Sequence, residues 1–379
     1  MDTDDFRTPG QLIEALLTSK GWSQRTLAIV LGMDETGINR IVSDKRPVSA
    51  ELALLLDEVF EVPASQFLHL QKEYDLAKAR IVARPDPGRA IRASLFGGLP
   101  VAEMIKRRWL DAEDIRNVHA VEASLAKFFG VSSPDQIEIL PHAAKKTVIA
   151  GDATPAQVAW LYRVKQIAAE MIVPRYSSSA VRRAIATLGA LRSAPEQARK
   201  VPRVLAESGI RFVVVESLPS AKIDGVCFWL NEGAPVIGMS LRHDRIDNFW
   251  FVLRHELEHI LRQHARDTVF LDAELEENRA SSETEIADEE RVANEAAADF
   301  CVPRNQMERF IARKSPFFAE RDIIGFARTL NVHPGLVAGQ LQHMTARYDL
   351  FRKHLVKIRS AVRPSAIADG WGDVVQVGL

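Results

Sequence analysis

Apolar residues in the first eighty positions recur three and four apart in short runs, interrupted by glycines and small polar residues. This predicts a series of short amphipathic helices ending near Arg80. The stretch "VARPDPGRA" (82–90) has the composition of a linker. Between Pro100 and Leu205 the segments "VAEMIKRRWL", "AVEASLAKFF", "PAQVAWLYRVKQIAAEMI" and "SAVRRAIATLGALR" keep the helical period. The texture then changes. "IRFVVVES", "GVCFWL" and "PVIGMSL" read as strands separated by Asn, Glu and Gly, and "FWFVLRHELEHIL" follows as a long helix. "DAELEENRASSETEIADEE" is acidic and almost without large apolar side chains, which predicts an exposed or disordered loop. Helical spacing resumes from about Glu290 to His354, and the final "ADGWGDVVQVGL" gives no pattern.

These elements predict a mainly α fold with a small β-sheet, an α+β protein, in four parts. They are a five-helix domain at 1–80, a helical linker region at 81–175, a domain holding strands and long helix at 176–345, and a tail at 346–379. A length of 379 residues with 47% hydrophobic and 26% charged residues suits more than one core. The net charge of −1 supplies no overall attraction for nucleic acid, so any such contact needs a local patch. Two cysteines, Cys227 and Cys301, exclude a disulfide framework. The acidic "MDTDDFRTPG" is unlike a signal peptide, and no apolar run approaches a membrane span, so a cytoplasmic protein without membrane contact is expected.

"SQRTLAIVLGMDETGINRIVSDKRPVS" contains two helical patterns with a tight break at Gly32, and Ser23 and Asp34 stand where helix caps belong. Ala28, Ile29, Leu31, Ile38 and Ile41 are expected to hold the pair at a fixed angle. That is the helix-turn-helix layout, whose second helix enters the major groove. Thr36, Asn39 and Arg40 would then lie near base edges or phosphates, and Gln24, Arg25 and Lys45 near the backbone. Acidic residues outnumber basic ones across the first 75 positions, so binding operator DNA is expected to need a homodimer or a narrow basic face.

"RHELEHI" places His255 and His259 four residues apart, on one face of a helix, with Glu256 between them. Two imidazoles at that spacing can share a zinc ion, Zn2+, leaving room for a third protein ligand and a water. Glu256 would take the proton of that water as it attacks a carbonyl, as in metalloproteases carrying this motif. The third ligand is sought in "ADEERVANEAAADFCVP". Glu290 is the first choice, with Asn294 one turn on holding a ligand from behind, and Glu295 and Asp299 stay open. Ala293, Ala296, Ala297 and Ala298 would let the two helices approach closely, and "PVIGMSL" is the strand expected to receive an extended substrate.

Two resemblances follow from these motifs. Pro9 to Arg80, with "GWSQ", "INRI", "KRPVSAELALLL" and "YDLAKAR", resembles HigA-type antitoxin domains of the XRE helix-turn-helix family. "KIDGVCFWLNEGAPVIGMSLRHDRIDNFWFVLRHELEHIL", "ERVANEAAADFCVP" and "IIGFARTLNVHPGLVAGQLQH", from about Leu205 to His343, resemble the ImmA/IrrE family of zinc metallopeptidases. Val292 stands where many members of that family carry glutamate. Together the resemblances imply a DNA-binding transcriptional regulator with a zinc-dependent, zincin-like peptidase domain. It would cleave a regulatory protein, such as a repressor, or itself. The alternative they leave is a non-catalytic antitoxin or repressor whose peptidase-like domain senses a ligand or binds a toxin.

Overall fold

The structure, a computed structural model, describes residues 6–83, 86, 88–137, 153–263, 270–273 and 285–377. Packing divides the chain into two units, Met1–Pro87 and Gly88–Leu379. No described helix is long and apolar enough to cross a membrane.

The first unit consists of α1 (Pro9–Lys20), α2 (Gln24–Leu31), α3 (Glu35–Val42), α4 (Ala50–Phe60) and α5 (Ala64–Val82). Its helices begin where short polar side chains satisfy the first backbone N–H groups: Thr8, Ser23, Asp34 and Ser49 each accept one. Gly32 ends α2 in the left-handed region (φ 64°), where a side chain would be strained, and its N–H returns to the last turn. Leu12, Ile13, Leu27, Ala28, Ile38, Ile41, Leu56 and Phe67 meet in one core. Ile29, expected in that core, is 74% exposed; Leu27 takes the inward position instead.

The second unit opens with α6 (Gly88–Gly98), α7 (Val101–Lys106), α8 (Val118–Phe129) and α9 (Pro155–Glu170), then α10 (Ser178–Ala190) and α11 (Val201–Glu207). The strands are β1 (Arg211–Val215), β2 (Ile223–Trp229), β3 (Pro235–Met239), β4 (Phe270–Ala273) and β5 (Ile367–Asp369). They form one sheet in the order β4-β2-β3-β1-β5, with β1 parallel to β3 and β5, and β2 antiparallel to β3 and β4. Between and after these strands come α12 (Ile246–Arg262), α13 (Glu285–Cys301), α14 (Arg304–Lys314), α15 (Glu320–Leu330), α16 (Pro334–Thr345) and α17 (Arg359–Val362). The expected mainly α fold with a small sheet is what forms.

The near-continuous apolar runs of β1 and β2 have a simple cause: the sheet is covered on both faces. Phe212, Val214, Cys227 and Ile237 point to the side of α12, against Trp250, Leu253 and Leu257. Val213, Val215, Val226 and Phe228 point to the other side, against Trp160, Val164 and Ile167 of α9. The helices before β1 and the C-terminal tail thus both belong to the packing of this unit. The tail, which showed no sequence pattern, adds β5 to the sheet. Asp369 on β5 is fully buried and accepts from Trp109 Nε1 at 2.7 Å, Arg163 Nε at 3.1 Å and the backbone N–H of Val375 at 3.1 Å. Buried charge survives there because it is paired and hydrogen-bonded.

The acidic stretch read as a loop lies partly outside the described residues. Its last residues, from Glu285, form the first turns of α13.

Candidate metal centre and DNA-facing surface

Two elements build the metal-type cluster. α12 lies across β2 and β3 and packs along α13. Ala293 and Ala297, one turn apart and fully buried, put only methyl groups into the contact and let the two helices approach closely. Ala296 and Ala298 of the expected set are half-buried. Across this contact His255 and His259 of α12 meet Glu290 of α13.

His255, Glu256 and His259 are all 0% exposed. The two Nε2 atoms lie 3.0 Å apart; His255 Nε2 is 3.3 Å from Glu290 Oε2, and His259 Nε2 is 3.4 Å from Glu290 Oε1. Bonds of about 2.0–2.1 Å in tetrahedral directions separate neighbouring ligand atoms by roughly 3.3–3.4 Å. The two contacts to Glu290 are near that spacing but use its two different oxygens, the imidazole nitrogens stand closer together, and one ligand atom from each residue lies within 4.8 Å of the others. The donor set of two imidazoles and a carboxylate suits that ion. Burial pushes the Glu290 carboxyl up. Hydrogen bonding to His255 and His259, together with their charge, outweighs this and holds it down at about 2. A carboxylate ionised so firmly is in the state a metal ligand needs.

The other acidic candidates on α13 are engaged elsewhere. Glu295 bridges to Arg291 at 3.1 Å, and Asp299 accepts the backbone N–H of Arg304 at 2.9 Å. Asn294 is half-buried, and its Oδ1 is enclosed without a hydrogen-bond partner among the described residues.

Glu256 turns toward the sheet, onto Gly225 of β2. A Cβ on Gly225 would stand 2.3 Å from Glu256 Oε1 and 2.7 Å from Val252 Cγ1. The glycine thus leaves the space that the carboxylate fills. Its sequence signal was a glycine inside a strand, a common mark of close approach. Glu258 was also missed: it accepts from Arg254 at 2.7 Å and Arg262 at 2.6 Å, a ladder at i±4 along α12. Burial raises the Glu258 carboxyl, and the two arginines more than reverse this.

The expected receiving strand needs correction. "PVIGMSL" contains β3, which is hydrogen-bonded on both sides, to β2 and β1, and has no open edge for an added strand. Strand order is set by long-range pairing, which local sequence does not report. The edge on this side is β4, paired to β2.

In the first unit, Thr36, Asn39 and Arg40 on α3 are exposed, as are Arg25 and Lys45. Gln24 is half-buried and accepts from Asn39 Nδ2 at 3.2 Å, which fixes one amide against the other. The backbone N–H groups of Lys45 and Arg46 both donate to the carbonyl of Arg40, at 2.8 and 3.0 Å, holding the three basic residues around one turn. Arg46, exposed there too, was not singled out from the sequence. Asp34 is occupied as a cap, 2.6 Å from the Gly37 nitrogen.

Two family models match the chain. Residues 13–67 match the helix-turn-helix family, and residues 207–338 match the IrrE N-terminal-like domain, a peptidase family. No curated protein matches it. The chain therefore joins a helix-turn-helix domain of the DNA-binding type to an IrrE-like, peptidase-like domain.

Proposed function

We propose that the chain is a transcriptional regulator that binds operator DNA through its first unit. In its second unit it hydrolyses a peptide bond, in a regulatory protein or in itself, at a zinc ion. The observation that carries this reading is the cluster of His255, His259 and Glu290, whose ligand atoms lie within 4.8 Å of one another, with a buried carboxylate, Glu256, on the same helix. His255, His259 and Glu290 would hold the ion, which supplies Lewis acidity toward a carbonyl and toward water. Glu256 is the base in this scheme: fully enclosed and backed by Gly225, it takes the proton of the attacking water and returns it to the leaving amine. The close packing of α12, α13 and β2 keeps these groups fixed, so little rearrangement is needed as the reaction proceeds. The main chain of β4, at the edge of the sheet, offers hydrogen bonds to an extended peptide. On α3, Asn39, Arg40 and Thr36 meet base edges, while Arg25 and Lys45 meet phosphates.

The zinc-loaded chain should be incubated with a denatured proteome digest and with its own apoprotein, and new termini read by mass spectrometry. New termini that disappear with Glu256→Gln support hydrolysis. Equal products from wild type and Glu256→Gln, or none from either, would leave the peptidase-like unit a sensor or binding module.

A further inference from the structure

Charge is distributed unevenly along this chain. Residues 1–80, which contain the helix-turn-helix, carry nine Lys and Arg against thirteen Asp and Glu. Residues 304–363 carry twelve against four. All four of those carboxylates are engaged by cations of the same stretch: Glu308 with Arg304, Glu320 with Lys353, Asp322 with Lys314 and Asp349 with Arg347. Arg359 and Arg363 pair with Asp244 and Asp373. Six cations remain, Arg309, Arg313, Arg321, Arg328, Arg352 and Lys357. All are exposed and none forms an ion pair among the described residues, Arg321 acting only at longer range on Asp322, which Lys314 already pairs.

The fold draws their segments together. Phe310 of α14 stacks on Phe326 of α15 at 4.5 Å, and the Lys314–Asp322 pair (2.8 Å) closes the turn between those helices. The Lys353–Glu320 pair (2.7 Å) fastens the 352–357 segment to the start of α15. Arg309 and Arg313 are one turn apart on α14. Arg321 and Arg328 lie two turns apart on α15, flanking Gly325, beside which nothing lies within 4 Å of a Cβ position. In the turn, between Arg313 and Arg321, Phe317 is 87% exposed.

We infer that these exposed cations of the second unit contact the DNA backbone and supply phosphate contacts that the acidic first unit lacks. The inference rests on the DNA-binding reading of the first unit. A merely solvated charged face normally mixes signs, whereas here every acidic side chain is already neutralised and the excess is of one sign. Because the helix-turn-helix is in the same molecule, duplex DNA is the polyanion delivered at high effective concentration. Each phosphate that the protein neutralises releases counterions, which makes the contribution readable in salt dependence.

The full chain is titrated onto fluorescent duplexes of the promoter region of its own gene and of scrambled sequence, with anisotropy read across a salt series, and onto phosphatidylserine vesicles in parallel. The chains compared are wild type, Asn39→Ala/Arg40→Ala, and Arg309→Glu/Arg313→Glu/Arg321→Glu. The triple variant should melt like wild type, since all three residues are exposed. Its log affinity should fall less steeply with log salt, by about 0.9 for each phosphate that is no longer neutralised. Between about 50 and 200 mM salt, three fewer neutralised phosphates reduce the fall in affinity roughly 40-fold. Asn39→Ala/Arg40→Ala should keep most of this scrambled-duplex binding while losing its preference for the operator. An unchanged slope and affinity in the triple variant would overturn the inference, as would a wild type that binds phosphatidylserine vesicles but no scrambled duplex. If Asn39→Ala/Arg40→Ala left operator preference intact, the helix-turn-helix reading would fail instead, whatever the triple variant did.

Discussion

Replacing Gly225 by alanine puts a methyl group where the Glu256 carboxylate lies. The added carbon would stand 2.3 Å from Oε1 and 2.7 Å from Val252 Cγ1, where ordinary contact begins at 3.4 Å. The carboxylate must therefore move by about 1 Å, and a shift of that size at a catalytic group costs on the order of 100-fold in rate. Overpacking between strand and helix should also lower stability by about 1–3 kcal/mol. The ligands His255, His259 and Glu290 belong to α12 and α13 and not to β2, so zinc affinity should change little. The assay pairs a chelator-competition titration of zinc with turnover of a peptide found in the digest experiment and a thermal melt. Shortening the acid in the same chain, as Gly225→Ala/Glu256→Asp, should recover stability beyond the sum of the single changes, because the clash is between these two residues. Turnover of Gly225→Ala equal to wild type, or additive melts in the double variant, would refute the placement of Glu256 against β2.

Asp369→Ala should cost about 3–5 kcal/mol in denaturant unfolding, because it strands Arg163 in a dry site. A loss below about 1 kcal/mol would mean that the tail is not held as described. Glu290→Gln keeps the shape but removes the anionic ligand, so it should weaken zinc binding while Glu295→Gln does not; equal affinities in the two variants would move the third ligand elsewhere. Asn39→Ala and Arg40→Ala should each reduce operator preference by about 1–3 kcal/mol if they make base-edge contacts. In a footprinting titration, unaltered protection by both would assign recognition to other residues.

What the sequence revealed follows the range of the forces involved. His255, Glu256 and His259 were legible because their geometry is set by one helical turn. Ser23 and Asp34 were legible as caps for the same reason. Glu290 lies on another helix beyond a long acidic stretch, so sequence offered it alongside Glu295 and Asp299. The distinction between them comes from Arg291 and the Arg304 backbone, which occupy those two. Ile29 and Leu27 differ by two positions on an eight-residue helix, too short for periodicity to fix which of them faces inward. β5 was hidden because it is three residues long and owes its place to pairing with β1 and to Trp109 and Arg163, more than 200 residues away in sequence. The interior position of β3 is likewise a matter of strand order.

The central claim is that α12 and α13 together make a three-ligand metal centre, and zinc stoichiometry tests it most directly. Wild-type chain, stripped and reloaded, is analysed for metal beside His259→Ala and Glu290→Ala. The account predicts about one zinc per chain in wild type, the number an open three-ligand site holds. It also predicts none retained by His259→Ala and much weaker retention by Glu290→Ala, with all three chains melting as folded proteins. A folded wild type that takes up no zinc, or a His259→Ala chain that holds it as tightly as wild type, would contradict the account.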